Sequence, residues 1–157
     1  MRNSKRKRVC GGCTACCTTH AVFELKKLMN SLCRHCTGQS CAIYQKRPKG
    51  CRDFHCEWIK GLGKDADRPD RSGVVLDYFA KGGCFAPVLM IWEYREGSLA
   101  TIFVWETARF ILEAGANVMF RYKSGAVHLY LSPGRKVDER MRVAINDSKI
   151  SIKDFPL

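Results

Sequence analysis

The sequence predicts an α+β fold: a small, loop-rich, metal-bound cysteine module followed by a mostly antiparallel sheet with one or two helices. Three observations predict it. Nine of the ten cysteines lie between Cys10 and Cys56. The basic charge is concentrated in the same part of the chain. β-Branched and aromatic runs separated by turn residues begin only after residue 73.

The elements follow in order. Residues 1–9 (MRNSKRKRV) read as a basic arm. Residues 10–60 form the cysteine module, opening on the tight turn CGGCTACC. Thr18 or Thr19 can cap a helix reaching about Ser31, with Val22, Leu25, Met29 and Leu32 on one face. Residues 33–60 are loop-rich, punctuated by Gly38, Pro48 and Gly50. Segment 61–72 has no apolar pattern beyond Leu62 and reads as a linker or surface loop. Residues 73–157 form the α+β domain. Val74–Phe79 and Val88–Tyr94 are strand-like. Residues 99–114 are divided: Leu99–Trp105 suits a strand, while Ser98 as cap and Gly115 beyond Ala114 favour a helix over at least 106–114. Asn117–Tyr122 and Ala126–Leu131 flank Lys123-Ser124-Gly125, a hairpin signal. Pro133–Ile145 suits a final helix and Ile150–Ile152 an edge strand.

Composition narrows the function. The chain has 157 residues, is 46% hydrophobic and carries a net charge of +12, a globular profile. No apolar run approaches the roughly 20 residues that span a bilayer, so no membrane partner is expected. The basic start lacks an apolar stretch behind it, so a secretory signal is not expected and the cytoplasm is the expected location. Thiols stay reduced there, and a dense cysteine cluster then points to metal rather than to disulfides. Residues 1–60 carry 13 Lys and Arg against 3 Asp and Glu, whereas residues 61–157 carry 14 against 12. Four thiolates on one Zn²⁺ or one [4Fe–4S]²⁺ core leave about two negative charges, so one or two centres offset about 2–4 of that excess.

The candidate ligands are Cys10, Cys13, Cys16, Cys17, Cys33, Cys36, Cys41, Cys51 and Cys56. Cys10, Cys13 and Cys16 form C-x2-C-x2-C, the spacing by which ferredoxins supply three ligands to one cluster. Cys10-x2-Cys13 and Cys33-x2-Cys36 together form C-x2-C-x19-C-x2-C, a zinc spacing. A [4Fe–4S] cluster is the leading expectation and Zn²⁺ the alternative. Cys16 and Cys17 are adjacent, and neighbouring side chains diverge. Either two centres are present or one of the pair is a packed thiol. Cys84 has no partner at ligand spacing and reads as a small core hydrophobe. His20, His35 and His55 read as donors beside the thiolates or as solvated rings. His128 carries no role. Residues 10–60 hold few large apolar residues, whereas structural zinc contributes about 10–16 kcal/mol, comparable with a whole domain's stability of about 5–15.

CGGCTACC followed by CAIYQKRPKGCRDFHCEW resembles the CxxCxxCC cysteine-cluster family, described as a zinc- or iron-chelating domain. The likeness covers about residues 10–58. Cys10, Cys13, Cys16 and Cys17 match the opening motif. Cys41, Ile43, Tyr44, Arg47, Pro48, Cys51, Phe54 and Cys56 match its C-x-IY-x2-RP-x2-C-x2-F-x-C segment. The resemblance implies metal chelation by those cysteines. A related cluster occurs in flagellin lysine methylases, but no methyltransferase half is present here, so that activity is not carried over. In the RP segment, Pro48 and Gly50 are expected to turn Cys41 towards Cys51. Arg47 and Arg52 can donate to thiolates or hold a carboxylate. Tyr44, Phe54 and Trp58 are expected to form the module's apolar shell.

Three functions follow. The first is a metal-binding accessory protein that presents a surface to an unknown protein partner. The second is a basic zinc module that binds nucleic acid, suggested by KRKR with Tyr44, Phe54 and Trp58. The third is a redox or cluster-dependent enzyme using a thiol such as Cys17. No phosphate loop or nucleophile motif supports catalysis, and Glu93, Glu106 and Glu113 read as surface charges.

Overall fold

The computed structural model describes residues 8–156, so residues 1–7 of the expected basic arm lie outside the described residues. The fold is α+β. Five strands form one sheet in the order β1-β2-β3-β4-β5: Val74–Phe79, Val88–Glu93, Asn117–Arg121, Val127–Tyr130 and Ile150–Ile152. Helix α1 spans Cys16–Thr19, α2 Lys49–Asp53, α3 Glu57–Lys60, α4 Pro69–Ser72, α5 Ile102–Glu113 and α6 Glu139–Asp147.

The sheet is mixed rather than mostly antiparallel. β1–β2 and β3–β4 are antiparallel, whereas β2–β3 and β4–β5 are parallel. Both parallel junctions are spanned by a helix, α5 after β2 and α6 after β4, since a parallel return needs a crossover. The N-cap of α5 is Thr101 rather than Ser98, which opens a short 3₁₀ turn instead. Asp138 caps α6 by accepting from the Met141 amide at 2.8 Å, so Pro133–Val137 remains loop.

Period-two alternation divides the sheet into two faces. Val74, Leu76, Leu89, Ile91, Val118 and Phe120 pack against Val104, Ala108 and Leu112 of α5. On the other face, Val88, Met119, Leu129 and Ile150 pack against Met141 of α6. Val75 and Trp92 on that face pack against Ala15, Cys56 and Trp58 of the cysteine module. Cys84 packs beside the α6 cluster.

Segment 61–72 is a packed joint. The Arg8 guanidinium lies over the Trp58 ring and donates to the carbonyls of Trp58, Leu62 and Gly63 at 2.7–2.8 Å. Trp58 Nε1 donates to the Lys64 carbonyl, and Pro69 is buried. Glu57 of α3 accepts from the Tyr78 amide of β1. The Glu57–Tyr78 bond ties the module to the sheet, and the other contacts tie it to segment 61–72 through backbone carbonyls. Glu93 is also buried, unlike the surface charge expected of it. It accepts from the amides of Gly97 and Lys123 at 2.8 and 3.0 Å and so fixes two turns. Glu106 and Glu113 are exposed.

Candidate metal centre

Backbone turns build the site. Gly11 takes φ +54°, which glycine adopts without strain. The Cys13 amide then donates to the Cys10 carbonyl at 3.0 Å, closing the first C-x2-C turn. Cys36 donates to the Cys33 carbonyl at 2.9 Å, closing the second. The Cys33 amide bonds the Cys17 carbonyl at 2.9 Å, holding the second turn against α1. Cys36 and Cys41 face one another across an isolated antiparallel bridge. Pro48 caps α2 and its carbonyl accepts from Cys51 and Arg52 at 3.1 Å. Cys56 caps α3.

The expected helix to Ser31 does not form. α1 ends at Thr19, and Lys26 and Asn30 take left-handed φ values of 51° and 54°. A two-way Val22–Lys27 bridge replaces it. Buried Lys27 explains the change, because its ammonium donates to the carbonyls of Thr18, His20 and Leu28. A helix to Ser31 would have taken the Thr18 and His20 carbonyls as its own acceptors.

All ten cysteines are free thiols. Cys10, Cys13, Cys16, Cys17, Cys33, Cys41 and Cys51 line one cavity of about 120 Å³, with Lys27, Arg47, His20 and Phe54. A hollow of about 20 Å³ behind it is walled by Cys10, Cys13, Cys16, Cys56, Phe54, Pro69 and Val75. Cys36 lies outside both linings but hydrogen-bonds Cys17. The adjacent pair stays together: Cys16 and Cys17 hydrogen-bond each other and both line the larger cavity, while Cys16 also borders the hollow with Cys10, Cys13 and Cys56 and Cys17 also meets Cys36. Among the described residues, no three His, Cys, Asp or Glu side chains meet in metal-holding geometry. The sulfurs wall the hollows rather than converging on one point.

The electrostatics are those of crowded thiols. Burial pushes Cys10, Cys13, Cys51 and Cys56 up. Cys16 is raised by its hydrogen bond to Cys17 and by burial. Cys17 is pushed down to about 6 by hydrogen bonds from Cys16 and Cys36, with Lys27 and Arg47 nearby. Buried neutral thiols give up their protons to a bound cation, because the cation supplies the charge that water no longer supplies. Nine soft donors with two cations beside them suit a thiophilic metal, so the donor set fits one.

Of the histidines, His20 lines the larger thiol cavity, whereas His35 and His55 line neither hollow. His20 is wedged between Phe54 and Trp92, ring centroids 4.2 and 4.8 Å away. Its Nδ1 meets Thr19 Oγ1 at 2.7 Å, and its Nε2 lies 3.7 Å from Asp77. His55 is exposed and its Nδ1 lies 3.0 Å from the Asp53 carbonyl. His35 bonds Ala42 through its carbonyl. His128 meets the Tyr122 ring edge to face, centroids 4.7 Å apart.

Arg47 and Arg52 donate to the carbonyls of Tyr44 and Arg47 respectively, so they staple the RP turn rather than donate to thiolates. Phe54 is half-buried and lines both hollows, Tyr44 lines the larger one while 40% exposed beneath Arg47, and Trp58 is buried but lines neither. The sequence reading missed two residues. Lys27 gave no signal, because its role depends on carbonyls from other turns. Glu24 accepts from the Gly50 amide at 2.9 Å, a contact across 26 residues. No family model, curated protein or solved structure matches the chain.

Proposed function

We propose that the protein binds metal through the cysteine module, as two adjacent thiolate centres, and acts as an accessory protein towards a protein partner. The observation that carries the reading is the gathering of the nine cysteines around two adjoining hollows. Cys10, Cys13, Cys16 and Cys56 border the smaller. Cys17, Cys33, Cys41 and Cys51 border only the larger, which Cys10, Cys13 and Cys16 border as well, and Cys36 meets Cys17. Nine thiols are enough for two four-ligand sets with one left over. A lone zinc sits about 2.3 Å from each sulfur and would leave most of the larger cavity empty, whereas interiors are close-packed. A polynuclear iron–sulfur core suits that space better. When bound, it would supply cationic charge and electron capacity. The chain's own residues hold the thiols in place, shield them behind Phe54 and offset their charge with Lys27 and Arg47.

Separate variants in each group test this. Cys56→Ser and Cys33→Ser are each expected to lower bound metal by about half, and the pair together to remove nearly all of it. Metal content unchanged in both single variants would contradict the reading.

A further inference from the structure

Residues 23–32 present four large apolar side chains to solvent: Phe23 is 90% exposed, Leu28 75%, Leu32 66% and Met29 49%. This exposure is built in rather than loose. The loop is closed by the Val22–Lys27 bridge, by Asn30 donating to the Thr19 carbonyl and by Ser31 donating to the Leu28 carbonyl. Two non-glycine residues, Lys26 and Asn30, hold left-handed backbone to complete it, a conformation that persists only where the surroundings enforce it. Contiguous exposed apolar surface of this kind marks an interaction site.

We infer that this loop docks the protein onto an anionic lipid bilayer. Three observations choose that occupant. Residues 1–60 carry ten net positive charges, and Lys26 and Arg34 are exposed at or beside the loop, so the patch complements anionic headgroups. The same charge opposes a second copy of the chain. The four side chains expose on the order of several hundred Å², below the roughly 800 Å² that each partner of a stable protein complex buries. Apolar tips flanked by Lys26 and Arg34, with Glu24 the one acidic side chain of the loop, need no shape complementarity to enter a headgroup layer. Of the four side chains only Phe23 offers a flat face on which a nucleic-acid base can stack. The docking is peripheral, since no helix among the described residues is long and apolar enough to cross a membrane.

The test is flotation of the full chain with phosphatidylcholine vesicles, with and without about one-third phosphatidylglycerol. Binding is expected to the anionic vesicles only. Phe23→Ser and Leu28→Ser should each weaken it about tenfold with the melting temperature unchanged, because each removes one inserting side chain. Lys26→Gln should weaken it less and flatten its salt dependence. Absence of binding at about 0.15 M salt overturns the inference. So does unchanged binding of a Phe23→Ser, Leu28→Ser, Leu32→Ser triple variant, or use of these side chains for an acidic protein or a dimer instead. The readout is vesicle binding by the protein as purified rather than its metal content, so failure of one reading is distinguishable from failure of the other.

Discussion

Stripping metal from the protein is expected to unfold residues 10–60 and leave the sheet folded. The module buries few apolar side chains of its own, chiefly Ala15, Val22 and Trp58. Its longest helix, α2, has five residues, far below the length at which helices hold themselves. Metal contributing about 10–16 kcal/mol outweighs anything such a core supplies. The sheet's two main clusters contain no module residue among their buried members, so they do not depend on the module. Hydrogen exchange reads the outcome residue by residue. After chelation, with an oxidant where iron is bound, the amides of Cys13, Cys33, Cys36 and Cys51 should lose protection while Ile91 and Phe120 keep theirs. Retained protection in the module after verified metal removal would contradict the expectation.

The converse effect belongs to Phe120. It is fully buried towards the C-terminal end of β3 and packs edge-on against Trp105 and Tyr130, centroids 5.3 and 5.0 Å away. Phe120→Ala removes those contacts and leaves a cavity that the strand backbone cannot close. The expected loss is about 3–5 kcal/mol, a large part of a domain's stability. Chemical denaturation should show it as a lower midpoint for the sheet, with metal content per folded protein unchanged. Loss below about 1 kcal/mol would mean that the core can repack around the gap.

What the sequence disclosed tracks how local the deciding interactions are. Val74–Phe79 and Ile150–Ile152 form strands over the residues expected, because β-branched runs and flanking turns are local signals. The Lys123-Ser124-Gly125 turn does join β3 to β4. The α5 region was divided because Ile102, Phe103 and Val104 suit a strand by type. The Thr101 start and the apolar spacing of Val104, Ala108 and Leu112 decide for helix. Parallel pairing was not legible, since it depends on where each helix returns the chain. The module was hardest. Val22, Leu25, Met29 and Leu32 have helical spacing, yet Lys27 and the Cys33–Cys17 bond, both non-local, turn Met29 and Leu32 outward. Spacing named the nine cysteines but did not divide them. Nor does spacing foretell that Cys16 and Cys17, adjacent on α1, hydrogen-bond each other.

The most direct measurement is elemental analysis with a visible absorption spectrum on full-length protein purified without oxygen. The predicted result is a brown sample containing iron and acid-labile sulfide in equal amounts. Stoichiometric zinc in a colourless sample would replace the cluster while keeping the thiols' convergence on metal. A colourless sample with neither metal, and with all nine module thiols free to react, would contradict the account at its root.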